Sequence, residues 1–334
     1  MKSWKFYLLF LITLACSPDE IGPQGQLEEP SLFQGPRVFI INEGNFGRGN
    51  ASISAYHPQE QEVQQNIYQS ANALPLGDVA QDMKAFNKQY FISLNASSKI
   101  VVVDSSSWEA KGEISGVATP RYLAFAASKG FATDLFQKKL WVFDPITQEV
   151  INFIPLPSAG KNLEVIGASL YVACGQNLVK LDPWSEEIES SISMSGRIAS
   201  LSTLQGRLFA LCHSNPAMIY EVYPDKEPEV VFQFQAEASP AFLCASESKG
   251  TLLINSDEDI LKIDPSNNFS GSVLFSYSGQ NIYGMNVDPK SGDIYLADAL
   301  DYNQASRILR YAATGELLDS FDAGVISNGF FFSR

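Results

Sequence analysis

GFATDLFQKKLWVFDPITQEV, residues 130–150, decides the fold. It reads as a short apolar strand, a polar gap, a second strand closing on an Asp-Pro turn, and the start of a third strand. The same phrase returns as SLYVACGQNLVKLDPWSEEI (169–188) and TLLINSDEDILKIDPSNNF (251–269), with looser copies starting at Val38, Tyr90, Leu208 and Ile294. From Tyr90 onward the copies are spaced by about 41, 39, 38, 44 and 42 residues, the period of a propeller blade. One copy cannot bury both faces of its own sheet, so the copies must stack face to face around an axis. Residues 37–334 shared among seven copies give about 43 residues each, enough for four strands. The expected fold is all-β: a seven-bladed β-propeller.

An additional strand precedes the anchor in each repeat, at residues 122–127, 162–167, 198–203, 241–246 and 282–287, and is expected innermost. The ending SNGFFFS (327–333) has the character of one more inner strand with no successor, while residues 37–42 form a second strand with no predecessor. The two ends should therefore complete one blade, with Phe330 beside Phe39, and remove the exposed edges a sheet must otherwise manage. Asp144-Pro145, Asp182-Pro183 and Asp264-Pro265 are turn chemistry, since the carboxylate accepts backbone N–H groups ahead of it and proline fixes φ. His57-Pro58 is a variant of the same turn, which makes His57 structural.

The chain carries a formal charge of −14, disfavouring nucleic acid and anionic lipid, both of which need a positive patch. Residues 1–16 place Lys2 and Lys5 before an apolar run too short to cross a bilayer, then end in Ala15-Cys16. That stretch resembles a bacterial lipoprotein signal with Cys16 as the lipidated residue. Residues 17–36, rich in Pro, Gly, Gln and acid, are expected to be an extended tether. Asp19-Glu20, just after the cysteine, resembles an acidic export signal for the outside of the outer membrane. The expected placement is an outer-membrane protein held by a lipid anchor alone and facing the cell exterior. Cys174, Cys212 and Cys244 are expected to be buried and unbridged.

Loops from second to third strands, and from each blade to the next, share one face of a propeller around its channel mouth. Two are enlarged, NEGNFGRGN (42–50) and ALDYNQASR (299–307), and closure makes their blades neighbours. They offer Asn45, Phe46, Arg48, Asp301 and Tyr302 to a neutral, polar, planar ligand. Asn95, Arg121, Phe136, His213, Tyr283 and Asn328 are expected on the same face. With His213 the only histidine there, a multi-histidine metal site is excluded, and Asp298 with Asp301 lacks a calcium-loop pattern. No nucleophile elbow, zincin, phosphate-loop or dinucleotide motif occurs, so no catalytic residue and no cofactor is implied.

Residues 42–47 (NEGNFG) followed by 50–54 (NASIS) are similar to the opening of YncE-like, YVTN-type propeller lipoproteins. The run 288–295 (DPKSGDIY), then Asp298, Asp301-Tyr302, Arg310-Tyr311, Gly315, Phe321 and Gly324 to Phe330, resembles the close of the same group, whose Pro-Asn-Gly is Ser327-Asn328-Gly329 here. The BtuG-type branch binds cobalamin and passes it to a TonB-dependent transporter. The resemblance thus implies a non-enzymatic surface protein that captures a small ligand, a corrinoid or another metal chelate, for such a transporter. Two other readings stay open: an envelope interaction scaffold, and a hydrolase of the lactonase kind in which Glu43, Arg48 and His213 would converge on a metal.

Overall fold

Alternation with period two becomes doubly buried strands, because each blade is sandwiched between two others. In Lys139–Asp144, Leu140 and Val142 face one neighbour and Trp141 and Phe143 the other, and all four are buried. The computed structural model describes residues 37–333. Seven four-stranded antiparallel sheets make up these residues, each a blade of a seven-bladed propeller. The signal with Cys16 and the tether, residues 1–36, lie outside the described residues.

The inner strands are Ala80–Phe86, Pro120–Ala126, Gly160–Ile166, Arg197–Leu204, Pro240–Ser246 and Ile282–Val287 in blades 2 to 7, and Ser327–Phe332 in blade 1. In blades 3 and 4 they start two residues before the expected positions. Pro120 and Gly160, which have the look of turn punctuation, are the first strand residues instead.

Blade 1 is closed by both ends of the propeller, in the order Ser327–Phe332, Val38–Asn42, Ser52–His57, Glu62–Gln64. The register differs from expectation by one residue: Phe331 opposes Phe39 and Phe330 opposes Ile40. Since neighbours in a strand point to opposite faces, the phenylalanines divide the work. Phe331 stacks on Phe39 at 6.4 Å toward blade 2, whose Tyr90 and Trp108 rings also reach Phe39, while Phe330 packs on Tyr295 of blade 7 at 5.6 Å.

Asn42 locks this closure. Its buried amide donates to Ser52 and Ser54 Oγ at 3.1 and 3.0 Å, and its oxygen accepts from Ser327 Oγ at 2.6 Å and Gly324 N at 3.1 Å. The Asp-Pro turns are as expected: Asp144, Asp182 and Asp264 each accept the backbone N–H two residues on, at 2.7–2.9 Å.

The three cysteines are free, and burial pushes each thiol up to about 12. Cys244 departs from its expected full burial: it is half-buried and lines the channel. One element had no forecast in the sequence, a short helix Ile67–Asn72 between blades 1 and 2. Asn72 fastens it to blade 2 by donating to Trp108 O at 2.9 Å and accepting from Ala110 N at 2.8 Å.

Candidate functional site at the channel mouth

Every inner strand breaks register with its partner near its second residue. The irregularity falls between Ala80 and Asp82, Pro120 and Leu123, Gly160 and Leu163, Ile198 and Ser200, Pro240 and Phe242, and Ile282 and Gly284. The closing strand does the same opposite Asn42. A bulge re-aims the side chains around it. Here Gln81, Arg121, Lys161, Tyr283 and Asn328, each at the second equivalent position of its blade, line a central cavity of about 400 Å³.

Glu43, the first residue after the second strand of blade 1, organises one side of the mouth. Its Oε1 accepts from Gln81 Nε2 at 2.7 Å and Asn328 Nδ2 at 2.9 Å, and its Oε2 from Tyr283 OH at 3.3 Å. Arg121 Nε donates to Gln81 Oε1 at 2.9 Å, which extends the network over blades 3, 2, 1 and 7. Burial holds the Glu43 carboxyl above its usual range, against the pull of these donors and of Arg121. Burial and Glu43 together raise the Tyr283 phenol.

The two enlarged loops meet above this network. Asn45 Nδ2 donates to Tyr302 O at 2.7 Å, and the Tyr302 ring stands edge-on to Tyr283 at 5.6 Å. Gly44 has φ +73°, and a Cβ there would meet Asn50 and Ala51 at 2.6–2.7 Å, so only glycine permits the turn. Asp298 anchors the other loop by accepting Asn281 and Leu300 N–H at 2.8 and 3.0 Å.

Deeper in the channel, Lys84 Nζ lies 3.6 Å from Asp82, whose charge holds the ammonium's pKa up. Burial pushes the Glu164 carboxyl up to about 7; Lys84 opposes the shift and Asp82 adds to it.

Of the residues marked in the sequence, Asn45, Arg121, Tyr283, Tyr302 and Asn328 come together around Glu43. Phe46 and Phe136 are exposed at the tips of their loops, at 82% and 75%. Phe136 is set there by Asp134, which accepts the Phe136 and Gln137 N–H groups at 3.0 and 2.8 Å. Arg48 is exposed on the first loop. His213 belongs to blade 5, with Pro240 O at 2.7 Å from Nε2 and Arg197 at 3.1 Å from Nδ1. Asn95 is buried, and Asp301 is occupied with its own turn, accepting Asn303 N–H at 2.9 Å. Glu43 and His213 share no partner. Among the described residues, no group of three or more His, Cys, Asp or Glu side chains is placed to hold a metal ion.

Gln81, Asp82, Lys84, Lys161 and Glu164 carry no motif. Their only signal is position, counted from the start of each inner strand.

One family matches residues 37–332, which is every blade and the closure. The chain belongs to the family described as a domain of unknown function, DUF5074. No curated protein matches it. Among solved structures, this DUF5074 chain is similar to a quinonprotein alcohol dehydrogenase-like protein from Bacteroides thetaiotaomicron, with 16% identity, TM-score 0.72, and coverage of 90% of this chain and 79% of that one. It is similar to the periplasmic gluconolactonase of Pseudomonas aeruginosa, at 11% identity and TM-score 0.67 over 90% and 99% of the two chains. A putative 6-phosphogluconolactonase from Bacteroides fragilis gives 11% identity and TM-score 0.67 over 92% and 100%. At such identities the likeness shows the propeller alone, and function has to be argued from the site.

Proposed function

We propose that this DUF5074 propeller is a capture protein that holds a small polar ligand at its channel mouth. The observation that carries this reading is the hydrogen bond from Asn45 to Tyr302 O, which joins the two enlarged loops above the Glu43, Tyr283, Arg121 and Asn328 network. Concave sites of roughly 300–1,000 Å³ with a few convergent polar groups are the usual form of a small-molecule site, and the cavity of about 400 Å³ falls in that class.

The similarity of residues 42–54 and 288–330 to YncE-like lipoproteins supports the finer proposal: a lipid-anchored, outward-facing protein that captures a corrinoid or another metal chelate for a TonB-dependent transporter. A corrinoid exceeds the cavity, so it would lie across the rim, its flat faces against Phe46 and Tyr302 and its amide edge over the mouth. Among the described residues no three His, Cys, Asp or Glu side chains gather to hold a metal ion, and Glu43 and His213 stand apart, so the lactonase alternative rests on fold likeness alone.

Titration of residues 37–334 with cobalamin and a panel of siderophores, followed by calorimetry or absorbance, tests the reading. Saturable micromolar binding is expected, weakened about tenfold or more by Phe46→Ala or Tyr302→Ala. Absence of binding across the panel at micromolar concentration overturns it. Co-purification of a transporter without ligand would instead favour the scaffold.

A further inference from the structure

We propose that Arg121 and Lys161, side by side on the channel wall of blades 3 and 4, form a subsite for an oxyanion, the carboxylate or phosphate group of a small ligand. The inference deepens the capture reading and rests on it.

Both residues occupy the second position of their inner strands, where the bulge turns them into the cavity. Neither has a carboxylate partner among the ion pairs of the described residues. Arg121 donates through Nε to the neutral Gln81 amide, and Lys161 donates to the Ala199 carbonyl at 2.7 Å. The two terminal nitrogens of Arg121 and the remaining protons of Lys161 are left for a visitor. A planar guanidinium beside a point-charge ammonium matches the geometry of an oxyanion. Next to them, Asn162 Oδ1 is buried with no donor, suited to a hydroxyl or amide on the same molecule.

The arrangement is costly in a way that packing does not explain. Arg197, the exposed first residue of the blade 5 inner strand and bonded to His213, adds a third cation close enough to act on Lys161 in a chain whose formal charge is −14. Burial, then Arg121 and Arg197, push the Lys161 ammonium down to about 8. A bound anion would relieve both the burial cost and the repulsion. The carboxylates facing the pair are otherwise engaged or neutral in mild acid: Glu43 at the mouth is held by Gln81, Asn328 and Tyr283, Asp82 is paired with Lys84, and Glu164 keeps its proton below about pH 7. As pH rises through 7 to 8, Glu164 gains charge while Lys161 loses it, and both changes weaken anion binding.

Residues 37–334 should be titrated with sulfate, whose charge is constant over the range in which Lys161 and Glu164 titrate, at fixed ionic strength, by calorimetry and by NMR of 15N-lysine-labelled protein. Saturable binding is expected, with a rise in the Lys161 pKa and an affinity that falls as pH passes through about 8. Lys161→Met should lose at least about tenfold in affinity and gain thermal stability, while Lys161→Arg should stay within about threefold of the parent. Competition by inorganic phosphate or by succinate supports the subsite and names the group it prefers. Failure of both to compete, no saturable sulfate binding, or equal binding by Lys161→Met and the parent overturns it. A protein that binds sulfate but no member of the chelate panel keeps the subsite and loses the capture reading. One that binds cobalamin but no oxyanion does the reverse.

Discussion

The second and fourth residues of each inner strand, the third and fifth in Arg197–Leu204, which begins one residue earlier, lie two positions apart and follow different rules. At the fourth stand Met83, Leu123, Leu163, Leu201, Leu243, Met285 and Phe330, all apolar and all at most 8% exposed, packed between blades and touching the cavity only with apolar surface. At the second, Gln81, Arg121, Lys161, Tyr283 and Asn328 line the cavity and share no common chemistry, while Ala199 is buried in the core of its blade and Ala241 is exposed. The wall between blades demands one kind of residue seven times, while the channel wall is free to differ from blade to blade. Shape comes from the first set, and the polar members of the second join the loop residues in recognition.

Attacks on the framework should have the largest effects. Deleting residues 327–334 removes a whole inner strand along with Phe330, Phe331 and the Ser327 partner of Asn42. Loss of cooperative thermal unfolding is expected, and a chain that still melts in one sharp transition would show that closure is dispensable. Leu123→Ala should cost about 2–5 kcal/mol in denaturant unfolding, as buried leucine truncations do. Asn42→Ala leaves Ser52, Ser54, Ser327 and the Gly324 N–H without their shared partner, and should cost about 2–4 kcal/mol by the same measurement.

A change on the channel wall should act in the other direction. Burial raises the Glu164 carboxyl to about 7 from an ordinary 4.5, so the folded chain holds that proton more tightly than the unfolded one. The resulting stabilisation is complete below the ordinary carboxylate range and is lost as pH climbs to about 7. Glutamine imitates the protonated form. Glu164→Gln should therefore match the parent in acid and exceed it at pH 8 by about 1–3 kcal/mol, the lower end applying where channel water screens the charge. Equal stability at both pH values would remove Glu164 from the set of strained groups.

The same contrast explains what the sequence disclosed. The Asp-Pro turns recur because three hydrogen-bonded corners need them, and the apolar strands alternate because both faces are covered. Repeat number and closure follow from those two signals. The register of the closing strand was legible only to within one residue, since Phe330, Phe331 and Phe332 are chemically interchangeable and only the pleat separates them. The channel wall was hardly legible: a bulge flips the alternation at the positions that matter, so Lys161 and Gln81 carry no local mark of facing inward. Glu43 stood in plain view within NEGNFG, but its role depends on Gln81, Tyr283 and Asn328, three partners from other strands. The helix Ile67–Asn72 is too short for its periodicity to register.

The most direct test combines Arg121→Ala, Lys161→Ala and Tyr283→Ala in one variant and measures thermal unfolding and cobalamin and sulfate binding on the same sample. Recognition at the channel wall predicts cooperative unfolding within about 5 °C of the parent, a shift of about 3 kcal/mol at this size, with sulfate binding lost and cobalamin binding weakened about tenfold. A variant that fails to fold, or that folds and still binds as the parent does, would contradict it.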